Sequence, residues 1–358
     1  MITAKAPGKM ILIGEYAVLY GAKSLVCAMD CYAAVNVLPS ASKQFEIAAP
    51  SLSIPITAFN IDSSGQAEFI ESVKNDVTHK LGFFKIVFEE INRIIQSRGY
   101  QFEPITIEIN TDDFFSANGE NKYGFGSSAA MAVALINALL TEVNLRSDYT
   151  TDDFFQLAFQ THRKAQGNLG SGIDIAASVY GNVLIYQLGY EKDKPIGGGQ
   201  PVNRWDGLYV LPIWAGHSTS TRKMVRSVDA LKDSSPKIFD KIMMELMHCS
   251  ENGCSSYIKK DRATFFDCIR EFNMILSELG KQSNTPIVSE AHSKLIDLIS
   301  GTDAVYKPSG AGGGDIGVAF CDSDDEVDNI RQKLKRSEFQ ILDFSIAKDG
   351  MSVHKIDD

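Results

Sequence analysis

Hydrophobic and polar positions along this chain change their period several times, and each change marks an element. From Ala129 to about Leu140 nearly every residue is a strong helix former, which predicts a helix. Thr151 to Gln166 predicts another, acidic at its start (Asp152, Asp153), basic near its end (Arg163, Lys164) and stopped by Gly167, as the helix dipole favours. Phe83 to Gln96 also reads as helical, whereas Ile105-Thr-Ile-Glu-Ile109 alternates with period two and reads as a half-buried strand. Near the N-terminus a short apolar strand follows a Pro7-Gly8 turn, with Lys9 at its head. Two β-rich stretches succeed it, Ser24–Met29 and Tyr32–Leu38, and Asn182–Tyr186 returns as a strand. Residues 189–206, with two prolines and a triple glycine, read as a loop or linker between two domains, 1–190 and 206–358.

Beyond that stretch, strand and helix alternate. Leu208–Trp214 reads as a strand, and Ser218-Thr-Ser-Thr-Arg222 caps a helix running through Leu231. Pro236–Lys260, Arg262–Lys281 and Ile287–Ile299 are amphipathic helices. Ile316–Phe320 is a strand, and Glu326–Lys335 and Gln340–Ile346 close the chain as helix and strand. No internal repeat is visible.

At 358 residues the chain is long enough for one large or two medium domains with ample core. A formal charge of −10 argues against a nucleic-acid footprint, so an anionic ligand would have to be met by locally placed cations. No run of eighteen apolar residues occurs, and Gly14-Glu15 breaks the first apolar stretch short of a signal peptide, so no membrane span is expected and the location reads as cytoplasmic. The six cysteines form no C-x-x-C pair. His248-Cys249 with Cys254 is the nearest approach to a metal cluster, and reduced, buried thiols are the better reading.

The chemistry concentrates in Lys122-Tyr-Gly124-Phe125-Gly126-Ser127-Ser128-Ala129, a glycine loop that opens the first helix described above. Unpaired N–H groups and the positive end of the helix dipole make such a junction a phosphate site. The stretch also fits G-x-G-x-x-A, but the run before it is polar and no strand ending in an acid follows, which argues against a dinucleotide fold. No G-x-S-x-G elbow exists, and a plain glycine turn stays open for this loop. Gly170-Ser171-Gly-Ile-Asp174 delivers one carboxylate at the start of a short apolar helix, where a helix-start acid is the alternative. Lys9 is either a site cation or a solvated surface lysine. Before the strand at Ile316, Gly310-Ala311-Gly312-Gly-Gly314 is either a flexible loop or a place where something approaches the backbone closely.

Taken in order, Ala6-Pro-Gly-Lys9 with Gly14-Glu15, then Gly124 to Ala130, then Gly310 to Gly314, the motifs resemble those of the GHMP kinases over nearly the full chain. The resemblance implies an α+β fold of two lobes, ribosomal-protein-S5-like at the N-terminus and ferredoxin-like at the C-terminus, with an ATP site between them. Details such as Gly14-Glu15-Tyr16-Ala17, Lys122, Ala165-Gln166-Gly167 and Lys307 to Asp315 are most similar to the phosphomevalonate kinases, which implies ATP and phosphomevalonate as substrates, in a monomer or a homodimer. Mevalonate kinases place a magnesium-binding Glu eleven residues before the catalytic Asp, where this chain has Arg163. By the same resemblance Lys9, Lys122 and Asp174 are expected to be catalytic, and Gly124 to Ala129 to hold the nucleotide. Tyr16, Ser171, Ser220, Arg222, Ser309, Ala311 and Gly312 are expected to meet the acceptor, and Ser127 or Ser128 to help hold Mg2+.

Overall fold

The computed structural model describes residues 1–70, 75–116, 118–119, 121–191, 194–216 and 221–356. The N-terminal lobe comprises β1 (Ile2–Ile13), β2 (Ser24–Pro39), β3 (Phe45–Ala49), β4 (Ile54–Ile61), β5 (Ala67–Phe69), α1 (Asn75–Ser97), β6 (Ile105–Asn110), α2 (Ser127–Glu142), α3 (Thr151–Ala165), α4 (Ile173–Tyr180), β7 (Val183–Glu191) and β8 (Lys194–Val202). The C-terminal lobe comprises β9 (Tyr209–Trp214), α5 (Thr221–Ser234), α6 (Pro236–Lys259), α7 (Arg262–Gln282), α8 (Glu290–Ile299), β10 (Val305–Pro308), β11 (Ile316–Cys321), α9 (Asp324–Leu334) and β12 (Gln340–Ile341). The last strand, β13 (Ser352–Lys355), returns to the first lobe and pairs with β1. The arrangement is the α+β, two-lobed one expected.

The large sheet runs β13-β1-β2-β6-β3-β4-β5, with β7 and β8 extending from β2. Helix α2 lies against β1 and β2 and is buried from Ala129 through Leu140. Its alanines explain how: small side chains let a helix approach a sheet on more than one side without losing helix propensity. The small sheet runs β10-β11-β9-β12. Period two places Ile316, Val318 and Phe320 of β11 in the core shared with α7, while Ala319 and Cys321 face the second cluster with α8 and α9. Both faces are covered, so this strand is buried throughout.

Several sequence expectations are corrected. The stretch 189–206 is no linker: Lys194–Val202 pairs antiparallel with β7 as the far arm of a hairpin, and the triple glycine lies inside that strand, where Gly197 leaves room for the Tyr186 ring. The two stretches within Ser24–Leu38 form one strand, which bulges at Asp30 and Cys31 where Pro7 of β1 pairs with Tyr32 and the adjacent Gly8 with Met29. Lys9 sits within a twelve-residue strand, just past the place where its partner bulges, and not after a turn. Helix α8 begins at Glu290, where the Ser289 side chain caps it, and only Gln340–Ile341 of the last expected strand pairs with the small sheet. All six cysteines are buried and free, and among the described residues no cluster of acids, histidines or cysteines could hold a metal. Among the described residues, no helix is long and apolar enough to cross a membrane.

Candidate active site

Strand β1 runs directly under the glycine loop. Gly8 makes this approach feasible, since an added Cβ would lie 2.9 Å from the Phe125 carbonyl oxygen and 2.6 Å from Cys31 Sγ. The next residue closes the contact: Lys9 N–H donates to the Phe125 carbonyl at 2.7 Å, and Lys9 Nζ reaches the Gly124 carbonyl at 3.4 Å. Gly124 and Gly126 both have positive φ, 86° and 81°, so the loop turns twice through the left-handed region before α2 starts. Gly126 is the N-cap and no side chain caps the helix. Ala129 N–H bonds the Gly126 carbonyl at 3.1 Å, while the N–H groups of Gly126, Ser127 and Ser128 have no partner among the described residues. Ser128 faces the cleft and Ser127 is buried. The Phe125 ring is wholly buried and packs edge-on to Phe344 at 5.2 Å, so it contributes backbone alone to the loop.

Asp174 occupies the first turn of α4, but Gly172 is the N-cap. The carboxylate is therefore not the cap; its Oδ1 accepts from Ile175 N–H at 3.0 Å, and the side chain lines the cleft. Gly126 separates it from Lys9: a Cβ there would be 3.1 Å from Lys9 Cγ and 3.9 Å from Asp174 Cβ. Ser171 is held by its own turn, its carbonyl accepting from the Tyr186 hydroxyl and its Oγ from Ile173 N–H at 3.4 Å. The end of α3 forms the adjoining wall through Phe159, His162, Arg163 and Gln166. His162 is buried, with no hydrogen-bond partner for Nε2 among the described residues. Burial pushes its pKa down; the Asp174 charge opposes this and the Arg222 charge adds to it.

The second glycine loop comes from the other lobe and is fastened to the end of β1 by four side chains. Ser309 Oγ accepts from Ile11 N–H at 3.1 Å and donates to the Ile11 carbonyl at 2.9 Å. Glu15 Oε1 accepts from Gly310 N–H at 3.3 Å and from Lys307 Nζ. Tyr16, itself at a positive φ of 60°, donates to the Ala311 carbonyl at 2.7 Å. From behind, His292 Nε2 meets the Gly314 carbonyl at 3.1 Å while its Nδ1 meets the Tyr306 hydroxyl at 2.8 Å. The first contact requires Nε2–H, so Nδ1 accepts from the phenol. Gly312 is turned away from the cleft onto Ile287, whose carbonyl would lie 2.3 Å from an added Cβ.

These elements enclose a cavity of about 300 Å³. Lys9, Tyr16, Lys122, Gly124, Gly126, Ser128, Ser171, Asp174, Arg222 and Ala311 line it. Phe125, Ser127, Ala129, Ser309 and Gly312 support it from outside, and Ser220 lies outside the described residues. Lys122 is exposed by area, yet the cleft walls crowd its ammonium, and that burial with the Lys9 charge lowers its pKa against the pull of Asp315. Three wall residues had no role assigned from sequence. His162 and Gln166 continue a 3-4 spacing from Phe159, a signal readable once the helix was placed. Asp315 ends the glycine run at a φ of 53° and packs over Gly124, which a Cβ there would reveal at 2.6 Å. Only the fold shows that contact.

A cleft between two α+β lobes, with a glycine loop at a helix N-terminus, cations and one carboxylate in the first turn of a helix, is the apparatus of a phosphotransferase. The sequence model of the GHMP kinases N terminal domain matches residues 83–182, and that of the GHMP kinases C terminal matches residues 256–340. The chain belongs to the GHMP kinase family. It is 23% identical to a phosphomevalonate kinase of Streptomyces sp. (strain CL190) over 98% of both chains, and 24% identical to a mevalonate kinase of Thermococcus sibiricus over 99% of both. The fold is shared with Streptococcus pneumoniae phosphomevalonate kinase, solved in complex with phosphomevalonate and AMPPNP, at a TM-score of 0.79 and 17% identity over 97% of this chain and all of that one.

Proposed function

We propose that this chain transfers the terminal phosphoryl group of ATP to phosphomevalonate, forming diphosphomevalonate in the mevalonate pathway. The observation that carries the reading is the charge of the cleft. Lys9, Lys122, Arg163 and Arg222 face the cavity in a chain of net charge −10, against the carboxylates of Asp174 and Asp315 and a Glu15 already neutralised by Lys307. Two basic residues of the motifs are not part of this set: Lys164 pairs with Glu90 outside the cleft, and Lys307 is buried on Glu15. Four cations suit two polyanions, a nucleotide and an acceptor that already bears a phosphate.

Phosphoryl transfer requires mainly alignment and positive charge around the moving group. The open N–H groups of Gly126, Ser127 and Ser128, with Lys122, hold the nucleotide's phosphates. Lys9 lies between that loop and the second glycine loop, where an added Cβ at Gly310 would be 3.6 Å from its Nζ, so its charge meets the group in transfer. Asp174 orients the acceptor hydroxyl and takes its proton. Mg2+ would supply charge neutralisation on the nucleotide; among the described residues no cluster of acids could hold it, and the Ser128 hydroxyl is the protein group that would. Mevalonate kinases stand among the relatives at similar identity, so mevalonate is the competing acceptor. The test is ADP release against mevalonate, phosphomevalonate, galactose and homoserine. Efficient turnover of mevalonate without turnover of phosphomevalonate would overturn this assignment.

A further inference from the structure

Gln166 and Arg222 meet across the cleft from different lobes. Gln166 follows α3 as its C-cap, its N–H bonded to the carbonyls of His162 at 2.9 Å and Arg163 at 3.1 Å, so its backbone is anchored and its side chain half-buried. Arg222 is the second residue of α5. Its Nε donates to Gln166 Oε1 at 2.9 Å, and its Nη2 donates to the same oxygen. A guanidinium has five N–H donors. One edge is thus occupied, and the remaining three N–H groups, including the pair at the far end of the fork, have no partner among the described residues.

The chemistry of the partner matters as much as its position. A carboxylate here would hold the guanidinium equally well but would cancel its charge. The amide of Gln166 orients the fork and leaves the charge whole. Nothing about α3 demands an amide, because a Glu of the same length would form the same two hydrogen bonds with a stronger, charge-assisted attraction. The choice of a neutral clamp makes sense only if the charge is needed for something else, and both residues line the cavity that holds Asp174.

We propose that Gln166 is the positioning residue for acceptor recognition: it fixes Arg222 as an oriented, un-neutralised fork for a phosphate or carboxylate group of the acceptor. The inference rests on the reading that the acceptor is anionic and lies at this end of the cleft. The charge of Arg222 acts on the neighbouring buried His162, consistent with a guanidinium held close to the end of α3.

The test uses the full-length enzyme with phosphomevalonate and ATP, in a salt series, for Gln166→Glu, Gln166→Met and Arg222→Met. Gln166→Met, which removes the clamp, is expected to raise the acceptor KM by roughly ten- to hundredfold, the worth of a lost hydrogen bond to a charged group. Gln166→Glu, which keeps the contact but cancels the charge of the fork, is expected to raise it comparably, with kcat and the KM for ATP little changed in both. Gln166→Glu should also flatten the salt dependence of acceptor capture while melting no lower than the wild type. A residue with a merely structural role gives the opposite pattern, since Gln166→Glu keeps the contact and is then silent. If Arg222→Met raises the acceptor KM and Gln166→Glu does not, the clamp is refuted and the reading of the acceptor stands. If Arg222→Met leaves the acceptor KM unchanged, no anion is recognised at this fork, and both fall.

Discussion

Lys307 of β10 donates its ammonium to Glu15 just beyond β1, and neither side chain reaches solvent, at 0% and 1% exposure. The pair joins the two lobes immediately beneath the second glycine loop. Glu15 Oε1 also takes Gly310 N–H, whereas Oε2 is buried with no partner among the described residues. Burial lowers the pKa of Lys307, and Glu15 opposes that shift. The two charges therefore depend on each other, and with them the place of the loop over Lys9.

Removing one member of this pair leaves the other charged and buried. Lys307→Met or Glu15→Gln is expected to destabilise the fold by about 3–5 kcal/mol, and the double variant to recover most of the loss. Urea denaturation of the four proteins forms the cycle. Single variants close to wild-type stability would show that the pair does not hold the lobes.

Gly126→Ala tests whether the glycine loop at the head of α2 holds the nucleotide's phosphates. The new Cβ would sit 3.1 Å from Lys9 Cγ on a backbone with φ of 81°, which strains the turn by about 1–2 kcal/mol. Affinity for an ATP analogue, measured by calorimetry, should fall roughly tenfold or more as N–H contacts to the charged phosphates are misaligned. Undiminished affinity would place the nucleotide elsewhere.

Asp174→Asn separates catalysis from scaffolding. The residue is not the N-cap of α4, so the fold loses little, while loss of a general base costs roughly a hundred- to ten-thousand-fold in turnover. Steady-state turnover is compared with calorimetric binding of ATP and acceptor. Near-normal binding with collapsed turnover is expected; retained turnover would remove Asp174 from the mechanism.

His162 gives a pH signature. Its pKa is lowered in the fold from the usual 6.5, first by burial. Below that pH the unfolded chain takes up a proton that the folded chain resists, so stability is lost as pH falls from about 6.5 towards the lowered value. His162→Leu should flatten the slope of unfolding free energy in that window. An identical slope in both proteins would assign acid sensitivity to other groups.

The alanine-rich helix, the paired amphipathic helices and the three glycine motifs in order are local patterns, and local physics suffices to read them. A 3.6-residue period, glycine's freedom at positive φ and the bare N-terminus of a helix act within a few residues, so the glycine loop at the head of α2 and the place of Asp174 at the start of α4 could be read from sequence alone. The hairpin arm at Lys194–Val202 could not, because prolines and glycines argue locally for a loop and only pairing with Val183–Glu191 makes it a strand. Ser309 and Tyr16 illustrate the same limit. Hydroxyls beside a motif look like ligand contacts, yet the fold engages one with Ile11 and the other with Ala311, which lie 298 and 295 residues away in sequence. The burial of Lys307 on Glu15, the clamp of Gln166 on Arg222 and the packing of Asp315 over Gly124 were decided only when two lobes closed on one another, since the charge or space that each side chain meets is supplied by a distant part of the chain.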